Sequence, residues 1–276
     1  MKGHVPRVRH PAVGFTLCAL ILALAACAET PRPTPAPVTI RLSASSTLSA
    51  LIDDLSDLYR FDRDWVSVQQ EAVNTAAAID LLNDGAVDLA FVSWLPAGLD
   101  ARLWQSALAH DAVAVVVHPS NPTTAVSLAQ LRDIYAGRVA DWSPFGWGGQ
   151  GLVVVSREDG SGTRAAFENA VMEGHAVTLS AIVQPDSESM VAYVARTPGA
   201  IGYVSRGRVT PAVKPIAVEG VEPLPLHAAN GAYPIGRVLT VLARREPEGG
   251  ARDFVVWLLS EEGQQAVAER GFGRVK

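Results

Sequence analysis

The chain has 276 residues, 49% of them hydrophobic and 18% charged, with a formal net charge of −5. That composition is globular and long enough for one large domain or two lobes. The acidic balance argues against a nucleic acid as partner.

Residues 13–26 are almost entirely apolar or small and follow a head carrying Lys2, Arg7 and Arg9. A membrane-spanning helix needs about 20 apolar residues, so a basic head with this short apolar core reads as an export signal over 1–26. The run closes in Leu24-Ala25-Ala26-Cys27, which resembles the bacterial lipobox. Cleavage before Cys27 and lipidation of its thiol are therefore expected, giving an extracytoplasmic protein anchored to the membrane by lipid. Cleavage removes three basic residues from 23 and no acidic ones, leaving 20 against 28 and a net charge of −8. Any anion site must then work by local geometry, against the average field of the protein. The other cysteine, Cys18, lies in the leader, so the mature chain has neither a disulfide nor a cysteine-based metal site. The proline-dense stretch in 27–37 stays extended and reads as a tether.

From residue 38 the chain alternates strand-like and helix-like segments. Residues 38–42 alternate at period two, and Leu48, Leu51, Ile52, Leu55, Leu58 and Tyr59 recur at helical spacing. The pattern predicts a short strand at 66–68, a helix at 75–83 stopped by Gly85, and buried strands at 88–93 and 113–117. Ser127 with Gln130 forms a capping box ahead of Leu128, Leu131, Ile134 and Tyr135. A strand at 152–155 precedes a helix starting near Ser161, with Phe167 and Val171 facing inward. A helix follows at 187–196, strands at 200–204, 213–218 and 238–243, and a closing helix at 252–270 broken near Gly263. Strands alternating with helices imply an α/β protein with mostly parallel sheets, whose ligands sit beyond the carboxyl ends of strands.

One turn concentrates donors. Residues 156–163 read S-R-E-D-G-S-G-T after the apolar run 152–155. Asp159 and Ser161 are competent N-caps, and the first helical turn leaves N–H groups without partners at the positive end of the dipole. Gly162 lets a ligand approach the backbone. Ser161 and Thr163 add hydroxyls, and Arg157 adds a planar fork suited to a tetrahedral oxyanion. Together they make an anion site. By itself the pattern also suits an ordinary capped helix with a surface arginine.

The wider sequence resembles the phosphate-binding proteins of bacterial phosphate ABC transporters. Their signature R-x-D-G-S-G-T stands complete from Arg157 to Thr163, and the likeness extends over most of residues 38–276. Ser45-Ser46-Thr47-Leu48 resembles the family's first anion-binding loop, and Val117-His118-Pro119-Ser120-Asn121-Pro122 its crossover. Leu131-Arg132-Asp133-Ile134-Tyr135-Ala136-Gly137, the pair Asp141-Trp142, residues 198–204 and Gly231-Ala232-Tyr233-Pro234-Ile235 also match in order. The resemblance implies a two-lobed type II periplasmic binding protein fold, each lobe a mostly parallel sheet flanked by helices. Lobe 1 would comprise 38–115 and 236–276, and lobe 2 would comprise 116–235. It implies capture of inorganic phosphate between the lobes, without covalent chemistry or cofactor, for delivery to permease subunits. The implied ligand residues are Ser46, Thr47, Leu48 (through its N–H), Thr75, Ser93, Arg157, Ser161, Gly162 and Thr163.

The match is looser at two places. Thr75 stands where the family often has serine in G-S-G or G-S-S. The strand ending Phe91-Val92-Ser93-Trp94 lacks the aspartate that accepts a phosphate proton in well-studied members, and no carboxylate occurs between Leu89 and Gly98. A site of donors alone should tolerate sulfate; Glu71 and Asp159 are the substitutes the sequence leaves open. A sensor or binder of another oxyanion without a transport role, and a phosphoester hydrolase using Ser161, remain as alternatives. No G-x-S-x-G spans Ser161, no Walker A motif is present, and His110, His118, His175 and His227 show no metal-ligand spacing. Trp94, Trp142 and Trp147 read as packing residues, with Trp94 near the cleft.

Overall fold

The computed structural model describes residues 1–4 and 35–275; the apolar run of the leader and Cys27 lie outside the described residues. Pro37–Lys276 forms one compact unit.

Strand β1 (Val38–Ser45) leads into α1 (Ser49–Arg60), which buries Leu51, Ile52, Leu55 and Tyr59 at helical spacing. Strand β2 (Val66–Val73) is longer than the predicted 66–68. Its Gln69, Gln70 and Glu71 pair with β1 at the sheet edge, where a polar strand remains partly solvated. Helix α2 (Thr75–Asn83) starts where predicted, with Asn74 Oδ1 accepting from the Ala77 N–H at 2.9 Å. Strand β3 (Leu89–Val92) is wholly buried. Strand β4 (Trp104–Val117) begins nine residues before the predicted 113–117, because its first half alternates with polar residues instead of running apolar.

Next come β5 (Ala125–Val126) and α3 (Leu128–Tyr135), which carries the predicted Ser127–Gln130 capping box. Strand β6 (Val153–Arg157) feeds α4 (Gly162–Phe167), which widens into a π turn over Glu168–Met172; Phe167 and Val171 are both buried. Strand β7 (Ile182–Gln184), too short to show a pattern, precedes α5 (Ser187–Arg196) and β8 (Ala200–Ser205). The remainder is β9 (Lys214–Val218), α6 (Pro225–Ala229), β10 (Gly236–Ala243), α7 (Gly249–Leu258) and α8 (Glu261–Glu269). The closing helix breaks at 259–260, before the predicted Gly263. Ser260 caps α8 by accepting from the Gly263 N–H, and a Cβ on Gly263 would sit 2.2 Å from the Trp257 carbonyl oxygen.

The strands join in the order β2-β1-β3-β10-β4-β8-β6-β7, with β9 also on β4 and β5 on β9. Pairing is parallel for β1 with β2 and β3, for β6 with β7 and β8, and for β5 with β9. Every antiparallel pair involves β4 or β10. These are the two strands through which the chain leaves one core and returns to it. Leu108 and Ala109 of β4 pack in one core with β1, α1 and α7. Ala112, Val113, Val115 and Val117 pack with α3, α4 and one face of β8, and Ala114 and Val116 pack with α5 on the opposite face. The α/β architecture is thus one curled mixed sheet with helices packed on it, its buried residues gathered in clusters to either side of the middle of β4.

Candidate anion-binding site

Parallel strands deliver their carboxyl ends to one rim, and the helices that follow begin there. Helices α1, α2, α4 and α5 all start at this rim, after β1, β2, β6 and β7. Residues 45–48, 74–75, 93, 157–163 and 186–187 therefore face one another.

Arg157 closes β6, and its side chain is only 1% exposed. It points toward the loop after β1 and the start of α5. Its Nη2 donates to Ser46 Oγ of the first lobe at 3.1 Å, and its Nη1 to Ser187 Oγ at the start of α5 at 3.2 Å. Glu158 receives the other edge of the fork, from Nε at 2.8 Å and from Nη2 at 3.1 Å. The backbone is pinned as well, since the Arg157 N–H donates to Tyr203 Oη at 3.3 Å. Burial pushes the Tyr203 phenol up to about 12, which keeps it protonated and hydrogen-bonding at neutral pH.

Hydroxyl groups complete the contact. Thr47 Oγ1 and Thr163 Oγ1 lie 2.9 Å apart across the lobes, and Thr75 Oγ1 and Ser93 Oγ lie 3.2 Å apart. The Ala76 N–H donates to the Gly160 carbonyl at 3.2 Å. Gly160 has φ +82, a left-handed turn that favours glycine. Gly162 serves close approach instead: a Cβ there would lie 2.4 Å from Ser93 Oγ and 2.5 Å from Thr75 Oγ1. The N–H groups of Gly162 and Thr163 stand at the first two helical positions, where no intrahelical acceptor exists. Of the implied donors, one is engaged locally and one caps its helix as an acceptor. The Leu48 N–H donates to the Ser45 carbonyl at 2.7 Å, and Ser161 Oγ accepts from the Arg164 N–H at 3.3 Å as the helix cap.

Helix α4 is held in position by an aromatic stack. The Phe167 ring lies 4.1 Å from that of Tyr203 at an interplanar angle of 6°, and 4.5 Å from that of Tyr135. Phe167→Ala is expected to cost about 3–5 kcal/mol, lowering the melting temperature by roughly 10 °C. Thermal denaturation checks this, and a melting curve matching wild type would refute it.

Two clefts flank the contact. One, of about 240 Å³, runs past Thr75, Ile79, Trp94, Gly162 and Arg164; the other, of about 360 Å³, past Ser46, Asn74, Glu158 and Ser187. A larger cleft of about 520 Å³ lies at the amino end of β1, beside Arg244 and Arg245, away from the converging donors.

Residues 30–262 match the family described as the PBP superfamily domain. The chain belongs to this family. Among PBP superfamily relatives, the Phosphate-binding protein PstS of Bacillus subtilis (strain 168) is 27% identical over 240 residues, covering 85% of this chain and 80% of its own length. A substrate-binding protein assigned to phosphate ABC transport, from Clostridium perfringens and with bound phosphate, superposes with TM-score 0.83 at 29% identity. That likeness covers 87% of this chain and 100% of the other. An ABC-type phosphate transport receptor from Vibrio cholerae gives TM-score 0.72 at 29% identity, covering 85% and 99%.

In this PBP superfamily chain, neither carboxylate that the sequence left open as a proton acceptor is buried in the contact. Glu71 is exposed on the edge strand β2, and Asp159 is exposed and paired with Arg164 at 2.6 Å. Three buried residues, Ser187, Asp111 and Arg237, were not among the residues the sequence singled out. Ser187 receives the Arg157 fork, and Asp186 caps α5 beside it by accepting from the Ser189 N–H at 2.7 Å. Although burial raises the Asp186 carboxyl, hydrogen bonds from Ser189 and the Arg157 charge hold it below its ordinary value. Arg237 and Asp111 form an ion pair at 2.7 Å with side chains 1% and 0% exposed. Burial pushes the Asp111 carboxyl up, against the Arg237 charge and hydrogen bonds from Arg237, Ser205 and Arg206. Its signal in the sequence is an aspartate immediately before the apolar run 112–117. Among the described residues, no group of three or more His, Cys, Asp or Glu could hold a metal ion.

Proposed function

We propose that this chain captures inorganic phosphate between its two lobes and presents it to the permease of an ABC transporter. The observation that carries this reading is Arg157: a guanidinium buried between the lobes, engaging Ser46 on one side and Ser187 on the other. An arginine so placed matches the planar, bidentate geometry of an oxyanion. Around it stand the hydroxyls of Ser46, Thr47, Thr75, Ser93 and Thr163 and the N–H groups of Gly162 and Thr163. The phosphate-binding and phosphate-transport relatives from Bacillus subtilis, Clostridium perfringens and Vibrio cholerae point the same way. Binding without chemistry suits Ser161, whose hydroxyl caps α4 instead of meeting a general base. We further propose that the lobes meet within β4 and at the start of β10, and that Cys27 carries the lipid that keeps the protein at the outer face of the membrane.

Isothermal titration with phosphate, arsenate, sulfate and molybdate tests the reading. Saturable 1:1 heat with phosphate is expected, and a flat phosphate titration would overturn it. A second reading, a broader oxyanion binder, is favoured by the region after β3, where Ser93 meets Thr75 and no carboxylate accepts a phosphate proton. Sulfate competing at comparable concentration would select that second reading.

A further inference from the structure

The cleft of about 240 Å³ beside the contact differs in chemistry from the donors it adjoins. Thr75, Ser161 and Gly162 line it, and all three belong to the residues the sequence implied for the oxyanion. Its other walls are Ala76, Ile79, Trp94, Pro96 and Ala165, which are apolar. Those walls are held by the fold. Ile79, 8% exposed, packs in a cluster with Val92 of β3, and Trp94 packs against the cluster that contains Phe167 and Tyr203. The charged residues that line it satisfy one another. Arg164 donates from Nη1 to Asp159 Oδ1 at 2.6 Å and from Nε to Glu168 Oε1 at 2.7 Å.

A tetrahedral oxyanion presents four substituents. In inorganic phosphate at neutral pH at least one of them carries a proton, and that proton gains from an acceptor. A phosphate monoester has its second pKa at about 6, so above neutrality it carries no proton, and an organic group stands in place of the hydroxyl. The segment after β3 suits the second ligand. It has no carboxylate between Leu89 and Gly98, and Ser93 is followed by Trp94 and Pro96, both on the cleft wall. The nearest carboxylates of the signature turn are engaged, Glu158 with Arg157 and Asp159 with Arg164. Beside the donors this cleft therefore offers hydrocarbon, from which a carbon substituent gains burial and a hydroxyl gains nothing.

We propose that the site also takes phosphate monoesters of small apolar alcohols or phenols, with the phosphoryl group on the donors around Arg157 and the organic group in the cleft beside Trp94. The inference rests on the oxyanion reading given above and adds a ligand class to it. Trp94 is then a specificity-determining residue, an aromatic wall for the ester group.

Titration calorimetry with phenyl phosphate and with inorganic phosphate at pH 8 tests this, with melting curves as the check on folding. Wild type is expected to bind phenyl phosphate 1:1 at least as tightly as inorganic phosphate, and phosphorus NMR of the mixture should show the ester intact. Trp94→Ala should weaken phenyl phosphate roughly tenfold and leave inorganic phosphate at its wild-type affinity. Should Trp94→Ala fail to fold, Ala165→Phe decides. Ala165 is partly exposed on α4, and a ring there fills the cleft without touching Arg157. It should likewise cost phenyl phosphate roughly tenfold and spare inorganic phosphate.

A wild type that binds inorganic phosphate but gives a flat titration with phenyl phosphate overturns the inference and leaves the oxyanion reading standing. Equal losses for both ligands in the folded variants, or no loss of phenyl phosphate in either, overturn it as well, and so does release of inorganic phosphate from the ester. A wild type that binds neither ligand overturns the oxyanion reading itself.

Discussion

Arg157→Ala is expected to weaken phosphate binding by about 2–5 kcal/mol, a loss of roughly 30- to 5,000-fold in affinity. The size follows from burial. The guanidinium is 1% exposed, so its charge is little screened by water. Removing it also strands Glu158, whose carboxylate accepts from Arg157 Nε at 2.8 Å and from Nη2 at 3.1 Å. A freed carboxylate beside an anion adds repulsion to the lost attraction. Arg157→Lys should restore little, because an ammonium cannot hold Glu158, Ser187 and Ser46 in one plane. Arg157→Ala combined with Glu158→Gln should recover part of the loss, separating the repulsive component from the attractive one. Calorimetry with phosphate reads all three variants. Near wild-type affinity in folded Arg157→Ala would remove the central group from the proposed site.

Much of this site can be read locally. Arg157, Ser161, Gly162 and Thr163 fall within seven residues, and the chemistry of a strand end, a cap and a glycine is visible in their order. Thr75 carries its own signal, since Asn74 announces the start of α2. Several motifs that pointed to the family prove to be structural. Tyr233 donates from its hydroxyl to the Val113 carbonyl at 3.0 Å, and Trp142 Nε1 to the Gly199 carbonyl at 2.9 Å. Such bonds hold the return strand and the second core in register, so they mark the fold more than the ligand.

What could not be read depends on distance along the chain. Arg237 and Asp111 are 126 residues apart, and Arg157 meets Ser46 across 111. Only the pairing of β4 with β10 brings the first two together, and period-two alternation does not say which strands will pair. Strand–helix alternation implies parallel neighbours and does not show the antiparallel pairs, which form where the 14-residue β4 runs beside β10 and then beside β8 and β9. Strand β2 and the first half of β4 were shortened in the reading because their polar residues lie on partly solvated faces.

Glycine 162 gives the second large effect, because it acts through closure instead of charge. In the closed contact its α-carbon faces Ser93 and Thr75 so closely that a Cβ would lie 2.4 and 2.5 Å from their hydroxyl oxygens, and 3.1 Å from the Ser93 carbonyl carbon. The short side chains have little room to turn, and the Ser93 backbone is itself held by Arg237. Gly162→Ala should therefore cost about 1–3 kcal/mol in the closed form, the usual scale of an overpacked contact. That corresponds to a phosphate affinity roughly 5- to 150-fold lower. The same clash vanishes when the lobes separate, so the ligand-free protein should melt near the wild-type temperature while its radius of gyration in solution rises. Gly162→Val, with a larger side chain at the same point, should push both readouts further. Titration calorimetry paired with small-angle scattering distinguishes this from a folding defect. Wild-type affinity in Gly162→Ala would mean that the lobes bind their anion without coming together at this point, and the closed geometry would lose its role in capture.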